Sequence, residues 1–370
     1  MNFDFRQKPI KFHTALIAII LGLLVGAVLI IVTGHNPIEI YGYMLKGAIG
    51  SSAAIASTLR WSTPLLLTGL AAMVAFRGGM FNFGIEGQLY VGALAAALVG
   101  VYLKGVPPIL HILVAIIAAM IAGIIWAILP ALVRAKFGET EVVPALMLNY
   151  VAMYLCDYLV QRFFLPNNTF GQTMATDTID KNIQLPKLIP PYSLNTGFLI
   201  ALTMIIIVWF MFKYTRYGYN VSMCGLNSEF ARYGGINVNA IRFDVMLISG
   251  AIAGMCGAIE VLGITWRYES GFSPDFGIEG ILASLLGGNQ PFGLLIGSIF
   301  MGAVKAGSLT VERSAGVPRA LADVIKAFII CFVSAQYLAS YLGLDRIVLW
   351  FKERHKIKLF SNSTKKREGV

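Results

Sequence analysis

Apolar residues come in long runs along this chain, with polar residues in short clusters between them. The run at residues 14–32 is the first of many that are long enough to cross a bilayer, for which roughly 20 apolar residues suffice in a helix. Ten spans are predicted, near residues 14–33, 59–76, 84–103, 107–133, 141–161, 194–212, 243–264, 276–288, 291–311 and 320–343. The eighth is short. At the rise of an α-helix it reaches only about 20 Å, less than the hydrocarbon core, and so has the length of a half-helix. The expected fold class is an all-α integral membrane protein of about ten transmembrane helices. One membrane domain, 14–343, lies between an N-terminal segment, 1–13, and a basic tail, 344–370.

Composition narrows the class further. The chain is 57% hydrophobic and 13% charged, with a mean hydropathy of +0.73, where soluble domains carry about 25% charged residues. A soluble fold has too much surface to hide that much apolar area. The net charge of +10 points to a membrane surface rather than nucleic acid, since no soluble domain is present to shape a groove. Cys156, Cys224, Cys256 and Cys331 are too scattered for a disulfide framework and are read as unpaired. His13, His35, His111 and His355 are far apart, so no metal site is expected. Arg6, Lys8 and Lys11 precede the first run as in a signal peptide, but the run is long and no small-residue cleavage site follows. It is read as a retained helix.

Lys and Arg in the loops orient the spans. With the N-terminus inside, inner segments hold 18 of the 29 basic residues, outer segments hold 9, and Lys305 and Lys326 lie within spans. Both termini are therefore expected in the cytoplasm. The outer segment 165–194 is rich in Asn, Thr and Pro and reads as a connector or a surface for an external partner. The inner segment 213–242 differs: Asn227 is placed to cap a short helix that stops at Gly234 or Gly235. A short amphipathic helix between glycines suits docking in a groove of another protein; the alternative is a surface helix lying on lipid.

One five-residue string occurs twice. Phe83-Gly84-Ile85-Glu86-Gly87 and Phe276-Gly277-Ile278-Glu279-Gly280 are identical. Thr68-Gly69 precedes the first and Ser249-Gly250 the second. The span assignment puts the copies at the starts of the third and eighth helices, in opposite orientations. Inverted repeats of this kind build many transporters, with the pathway at the pseudo-twofold axis. Glycines let helices approach or break, and a broken helix exposes a positive end that Glu86 and Glu279 would complement. Ionisable groups in spans point to function, and simple capping of their own helices is the competing reading. Lys305 has no acid nearby in sequence, so Glu279 or Glu260 is expected to pair with it. Asp323 and Lys326 are three apart and suit each other. Trp61, Phe81, Tyr90, Trp266, Tyr268, Phe272 and the two motif phenylalanines gather near the repeats, as interfacial belts or as a stacking site for a flat ligand. Asn82, Gln88, Asn289 and Gln290 offer hydrogen bonds to a polar solute or cap loops.

No phosphate-binding loop and no catalytic cluster is present in the sequence, so the chain is not expected to be an enzyme. Energy for active transport would come from an ion gradient or from a partner.

Thr63-Pro64-Leu65-Leu66-Leu67-Thr68-Gly69-Leu70, followed by Phe76-Arg77-Gly78-Gly79-Met80-Phe81-Asn82-Phe83-Gly84-Ile85-Glu86-Gly87-Gln88, resembles the signature of ABC importer permeases for nucleosides and simple sugars. Phe83 stands where that signature usually has isoleucine. Arg216-Tyr217-Gly218, Ala231-Arg232-Tyr233-Gly234-Gly235-Ile236, 277–288 and Gly316-Val317-Pro318 are similar too, and the resemblance covers about 55–340. It implies a permease in a bacterial cell membrane, working with a second, related permease, a cytoplasmic ATP-binding protein that hydrolyses the ATP, and an extracytoplasmic substrate-binding lipoprotein, with no cofactor in this chain. It also implies that Gly225, Asn227, Glu229, Ala231, Arg232, Gly234 and Gly235 belong to a helix that couples to the ATPase. Asn82, Phe83, Glu86, Gln88, Phe276, Glu279 and Lys305 are the candidate pathway residues. Nucleosides are the expected solute; simple sugars, branched-chain amino acids, or an ion-gradient-driven transporter are the alternatives.

Overall fold

A computed structural model describes residues 12–165, 174–316 and Val324, with side chains from Gly22 onward. Apart from Val324, the tenth expected span, with Asp323, Lys326 and Cys331, lies outside the described residues, as do residues 1–11 and the tail. The chain divides into two units. Residues 10–35 belong to one, in which α1 (Phe12–Val32) runs to a turn where Thr33 Oγ1 donates to the Ile30 carbonyl at 2.8 Å and Gly34 takes a φ of 81°.

The larger unit holds α2 (Pro37–Ile49), α3 (Ser52–Arg77), α4 (Ile85–Tyr102), α5 (Pro108–Leu132), α6 (Val142–Leu159), α7 (Gly197–Tyr214), α8 (Arg216–Leu226), α9 (Ser228–Tyr233), α10 (Val238–Glu260), α11 (Phe276–Leu286) and α12 (Pro291–Ala315). The described residues contain no strand beyond two isolated bridges. Among the described residues, seven helices are long and apolar enough to cross a membrane by themselves. α2 was not foreseen: Asn36 caps it and Pro37 opens it, inside what the hydropathy pattern treats as a loop. α11 has 11 residues, about 16 Å by helical rise, and is as short as the sequence leads one to expect.

Two long helices form the centre. Every residue of α3 from Ser62 to Ala75 is buried, as is every residue of α10 from Ser249 to Glu260; a helix buried all round belongs to a core. They are antiparallel. Ser249 Oγ donates to the Ala71 carbonyl (2.8 Å), Cys256 Sγ to the Pro64 carbonyl (3.7 Å), and Arg60 meets Glu260 at 3.1 Å. α4 and α5 pack on α10 as well as on each other, while α11 and α12 pack on α3 and on each other.

Small residues make these approaches possible. On α5, Ala115, Ala119, Gly123, Ala127 and Ala131 turn inward, while Leu113, Ile117, Ile121, Ile125 and Leu129 are exposed. Apolar surface outside and small residues inside is the pattern of a helix between lipid and neighbouring helices. A Cβ on Gly92 would fall 2.5 Å from Gly254 Cα, and one on Gly123 would fall 2.1 Å from the Gly250 carbonyl oxygen.

The segment 174–196 is no slack connector. Its backbone donates from Thr176 to the Tyr268 carbonyl (3.0 Å), from Ile179 to Trp266 (2.8 Å) and from Leu185 to Leu262 (2.9 Å). Its own Ala175, Ile179, Ile183 and Leu185 are buried. It covers the stretch leading into the second motif. The opposite end gathers other loops: Phe81 N donates to Glu141 Oε1 (2.7 Å), Arg77 Nε to the Asn289 carbonyl (3.1 Å), and Gly79 lies against Gly225.

Candidate functional site

The two motifs meet. After α3 the chain turns at Gly78 and Gly79 and runs back into the core, so that Met80 and Asn82 have no exposure. Asn82 organises this return. Its Nδ2 donates to Gln88 Oε1 (2.9 Å) and to Ser249 Oγ (2.7 Å), and its Oδ1 accepts from Gly84 N (2.9 Å) and Gln88 Nε2 (3.2 Å). α4 therefore starts deep inside the protein. Asn149, on α6, holds the same turn from the other side: its Oδ1 accepts from Gly87 N and its Nδ2 donates to the Phe83 carbonyl, both at 2.8 Å.

α11 also starts in the core, reached by the long lead-in from Trp266 to Asp275. Thr68 Oγ1 donates to the Phe276 carbonyl (2.9 Å). Thr68 lies nine residues before the end of α3, about 14 Å along its axis, which sets the depth of the second motif. The N-cap position of α11 is Asp275, at φ 60°, and its side chain makes no capping bond. The bond comes from the other motif: Gly277 N donates to Glu86 Oε2 at 2.5 Å. The Gly277 Cα sits so close that an added Cβ would lie 2.7 Å from Glu86 N. Glu86 thus faces the positive end of the opposing helix α11, whereas the competing reading of the sequence has it cap its own.

Glu279 points elsewhere. Lys305 Nζ, on α12, donates to Glu279 Oε2 at 2.9 Å, one of the two partners the sequence suggested. The other, Glu260, takes Arg60 instead. Trp61 lies between the two cations. Arg60 stacks 3.9 Å from its ring centre and Lys305 is 4.9 Å from it, with Lys305 also 5.3 Å from the Phe276 ring. Trp61 and Phe276 are 6.1 Å apart. Glu86, Phe276, Glu279 and Lys305 are therefore brought together, with Arg60, Trp61 and Glu260 beside them.

Asn82 and Gln88 sit behind this group and brace the turn, and Phe83 is half-buried beside them. Asn289 and Gln290 belong to the far end of α11, where both are engaged by Arg77. The aromatics are not all belts. Tyr90, Tyr268 and Phe276 have 0–1% exposure, and the Tyr90 and Phe272 rings meet at a tilt of 54° with centres 4.8 Å apart. Asp157 accepts from Tyr268 Oη (3.0 Å) and Ser270 Oγ (2.7 Å). Arg60, Asn149 and Asp157 went unnoticed in the sequence. A lone polar residue in each apolar run was the available signal.

In the inner loop, Asn227 Oδ1 accepts from Glu229 N (3.1 Å) and Phe230 N (3.0 Å) and starts α9, which Gly234 ends. Ala231 faces inward, while Glu229, Arg232, Gly234 and Gly235 are exposed, as are Leu226, Phe230 and Tyr233. A second helix, α8, precedes it. Gly225 joins the two and touches the turn at 77–79, where a Cβ would fall 2.1 Å from the Arg77 carbonyl oxygen.

Comparison with known proteins places this architecture. The chain is 34% identical to the guanosine ABC transporter permease protein NupP of Bacillus subtilis, over 88% of this chain and 94% of that one. It is 30% identical to the nucleoside ABC transporter permease protein NupB of Lactococcus lactis, over 91% and 94%. The glucose ABC transporter permease protein TsgB13 of Haloferax volcanii is 29% identical over 94% and 96%. These are transport subunits of ABC systems rather than enzymes. Residues 54–334 match the family described as branched-chain amino acid transport system / permease component, and the chain, a multi-pass membrane protein, belongs to that family.

Proposed function

We propose that this chain is the transmembrane permease subunit of an ATP-driven importer for nucleosides, with its pathway at the meeting of the two motif helices. The observation that carries the reading is the bond from Gly277 N to Glu86. It joins two helices, α4 and the short α11, whose N-termini converge in the core, the arrangement by which membrane transporters present backbone groups to a solute. Glu86, Phe276, Glu279 and Lys305 line the junction, and Asn82, Phe83 and Gln88 hold its first turn in place. Trp61, half-buried beside Phe276, adds a flat face suited to stacking on a base. The guanosine and nucleoside relatives favour that solute.

Both termini are cytoplasmic in this reading. α9 docks on the ATP-binding partner, a related but different permease completes the pore, and an extracytoplasmic lipoprotein delivers solute to the end covered by 174–196. The membrane is that of a bacterial cell. Reconstitution of the chain with its ATPase and partner permease tests the reading, using labelled guanosine, ribose and glucose. ATP-dependent guanosine uptake is expected. Glucose uptake that guanosine does not inhibit would overturn the solute; uptake driven by an ion gradient without the ATPase would overturn the class. Replacing residues 225–235 should abolish co-purification of the ATPase, and intact ATP-stimulated uptake in that variant would sink the docking assignment.

A further inference from the structure

At the loop end that carries α9, a cavity of about 400 Å³ is lined by Arg134, Ala135, Lys136, Phe137, Gly138, Arg232, Asn239 and Arg242. Four cations share it. Glu141 faces them, 3.7 Å from Arg134 Nε and also engaged by Phe81 N. Arg134 Nη1 donates to the Gly138 carbonyl at 3.1 Å. The Nε atoms of Arg134 and Arg242 are buried and make no hydrogen bond. Like charges crowded at a half-buried surface repel one another, and buried donors without acceptors cost stability. The pocket is built for an anion that accepts several hydrogen bonds at once.

Its surroundings indicate where that anion comes from. Arg134 and Lys136 sit in the π-helical turn Val133–Phe137 that ends α5. The lipid-facing ridge of α5, with Ile117, Ile121, Ile125 and Leu129 exposed four apart, leads down to that turn, and Phe137 is both 68% exposed and part of the cavity wall. An acyl chain on the ridge would bring its headgroup to the four cations. Basic pockets beside helices at the cytoplasmic face recognise anionic headgroups in this way, and guanidinium forks match phosphate oxygens in pairs. We infer that this pocket binds the phosphodiester headgroup of an anionic phospholipid of the inner leaflet, which bridges α5 to α9 through Arg232.

Native mass spectrometry of the full-length chain tests this, with phosphatidylglycerol and phosphatidylcholine supplied in turn and inorganic phosphate as competitor. Transport plays no part in the readout, so failure of the transport reading is a separate result. Phosphatidylglycerol should be retained in preference to phosphatidylcholine, and Lys136→Gln/Arg232→Gln should reduce that retention by about tenfold or more. Arg242→Gln provides a second variant should the first be poorly folded, and Lys181→Gln/Lys187→Gln, with the same charge loss on the segment 174–196, should leave retention unchanged. Equal retention in wild type and both pocket variants overturns the proposal. So does binding of inorganic phosphate with no preference for phosphatidylglycerol, which would make it a site for free phosphate. Loss of ATPase co-purification with unaltered lipid retention also overturns it, in favour of an acidic surface on the partner.

Discussion

Glycine positions carry the sharpest expectations at the scale of single residues. Gly277 and Gly42 are both glycines in helices, yet their surroundings differ. A Cβ on Gly277 would press on the Glu86 backbone at 2.7 Å, whereas nothing lies within 4 Å of one on Gly42. Backbone cannot move aside as a side-chain tip can. Gly277→Ala should therefore lower thermal stability sharply, by about 2 kcal/mol or more as in other overpacked cores. Gly42→Ala should be neutral or stabilising by up to about 1 kcal/mol, from helix propensity. Melting curves of the purified proteins check both. Glu86 offers a graded pair. Glu86→Gln keeps an acceptor for Gly277 N but loses the charge, so the chain should fold, lose about 1 kcal/mol and transport about tenfold more slowly. Glu86→Ala removes the acceptor and should cost about 2–3 kcal/mol. Equal uptake by wild type and Glu86→Gln would mean that the carboxylate only holds a helix end.

Helices were legible in the sequence where apolar runs were long, because lipid leaves a backbone few alternatives. α4, α5, α6 and α7 fall close to the expected boundaries, and the shortness of α11 was visible in its apolar run. α2 was not, since Tyr41, Tyr43 and Lys46 dilute its apolar face below the level of a span. Glu86 and Glu279 were recognisable as residues but not by their roles. Identical strings suggest identical jobs, and the partner of each glutamate depends on which helix lies opposite. Lys305 was assigned correctly to an acid on another helix because a buried lysine needs one. Its pair with Glu279 joins α11 to α12, with the two side chains only 18% and 12% exposed. Breaking such a pair should cost more than surface ion pairs do, about 3 kcal/mol for Lys305→Met alone. The exchanged variant Lys305→Glu/Glu279→Lys should recover part of that loss. A double-mutant cycle on thermal stability measures the coupling, and additive losses would show that the two charges act independently.

Across the whole molecule, the loops at 77–84, 133–141 and 215–242 share one end, and 174–196 with 262–270 share the other. If the first end is cytoplasmic, Tyr233→Cys, at 94% exposure, should react with a membrane-impermeant maleimide only in inside-out vesicles. Labelling of intact cells would reverse the orientation. The return of the chain before α4 is fastened by Ser249 of α10, and the start of α11 is fastened by Thr68 of α3. Each motif is thus held by the helix that leads into the other motif, like two clasped hands. Neither can be a folding unit on its own. As the chain leaves the ribosome, Asn82 must wait for some 167 residues before its anchor is made, so the first half is inserted into the membrane unfinished. A gene split within 166–173 should then yield two fragments that persist in the membrane only when made together.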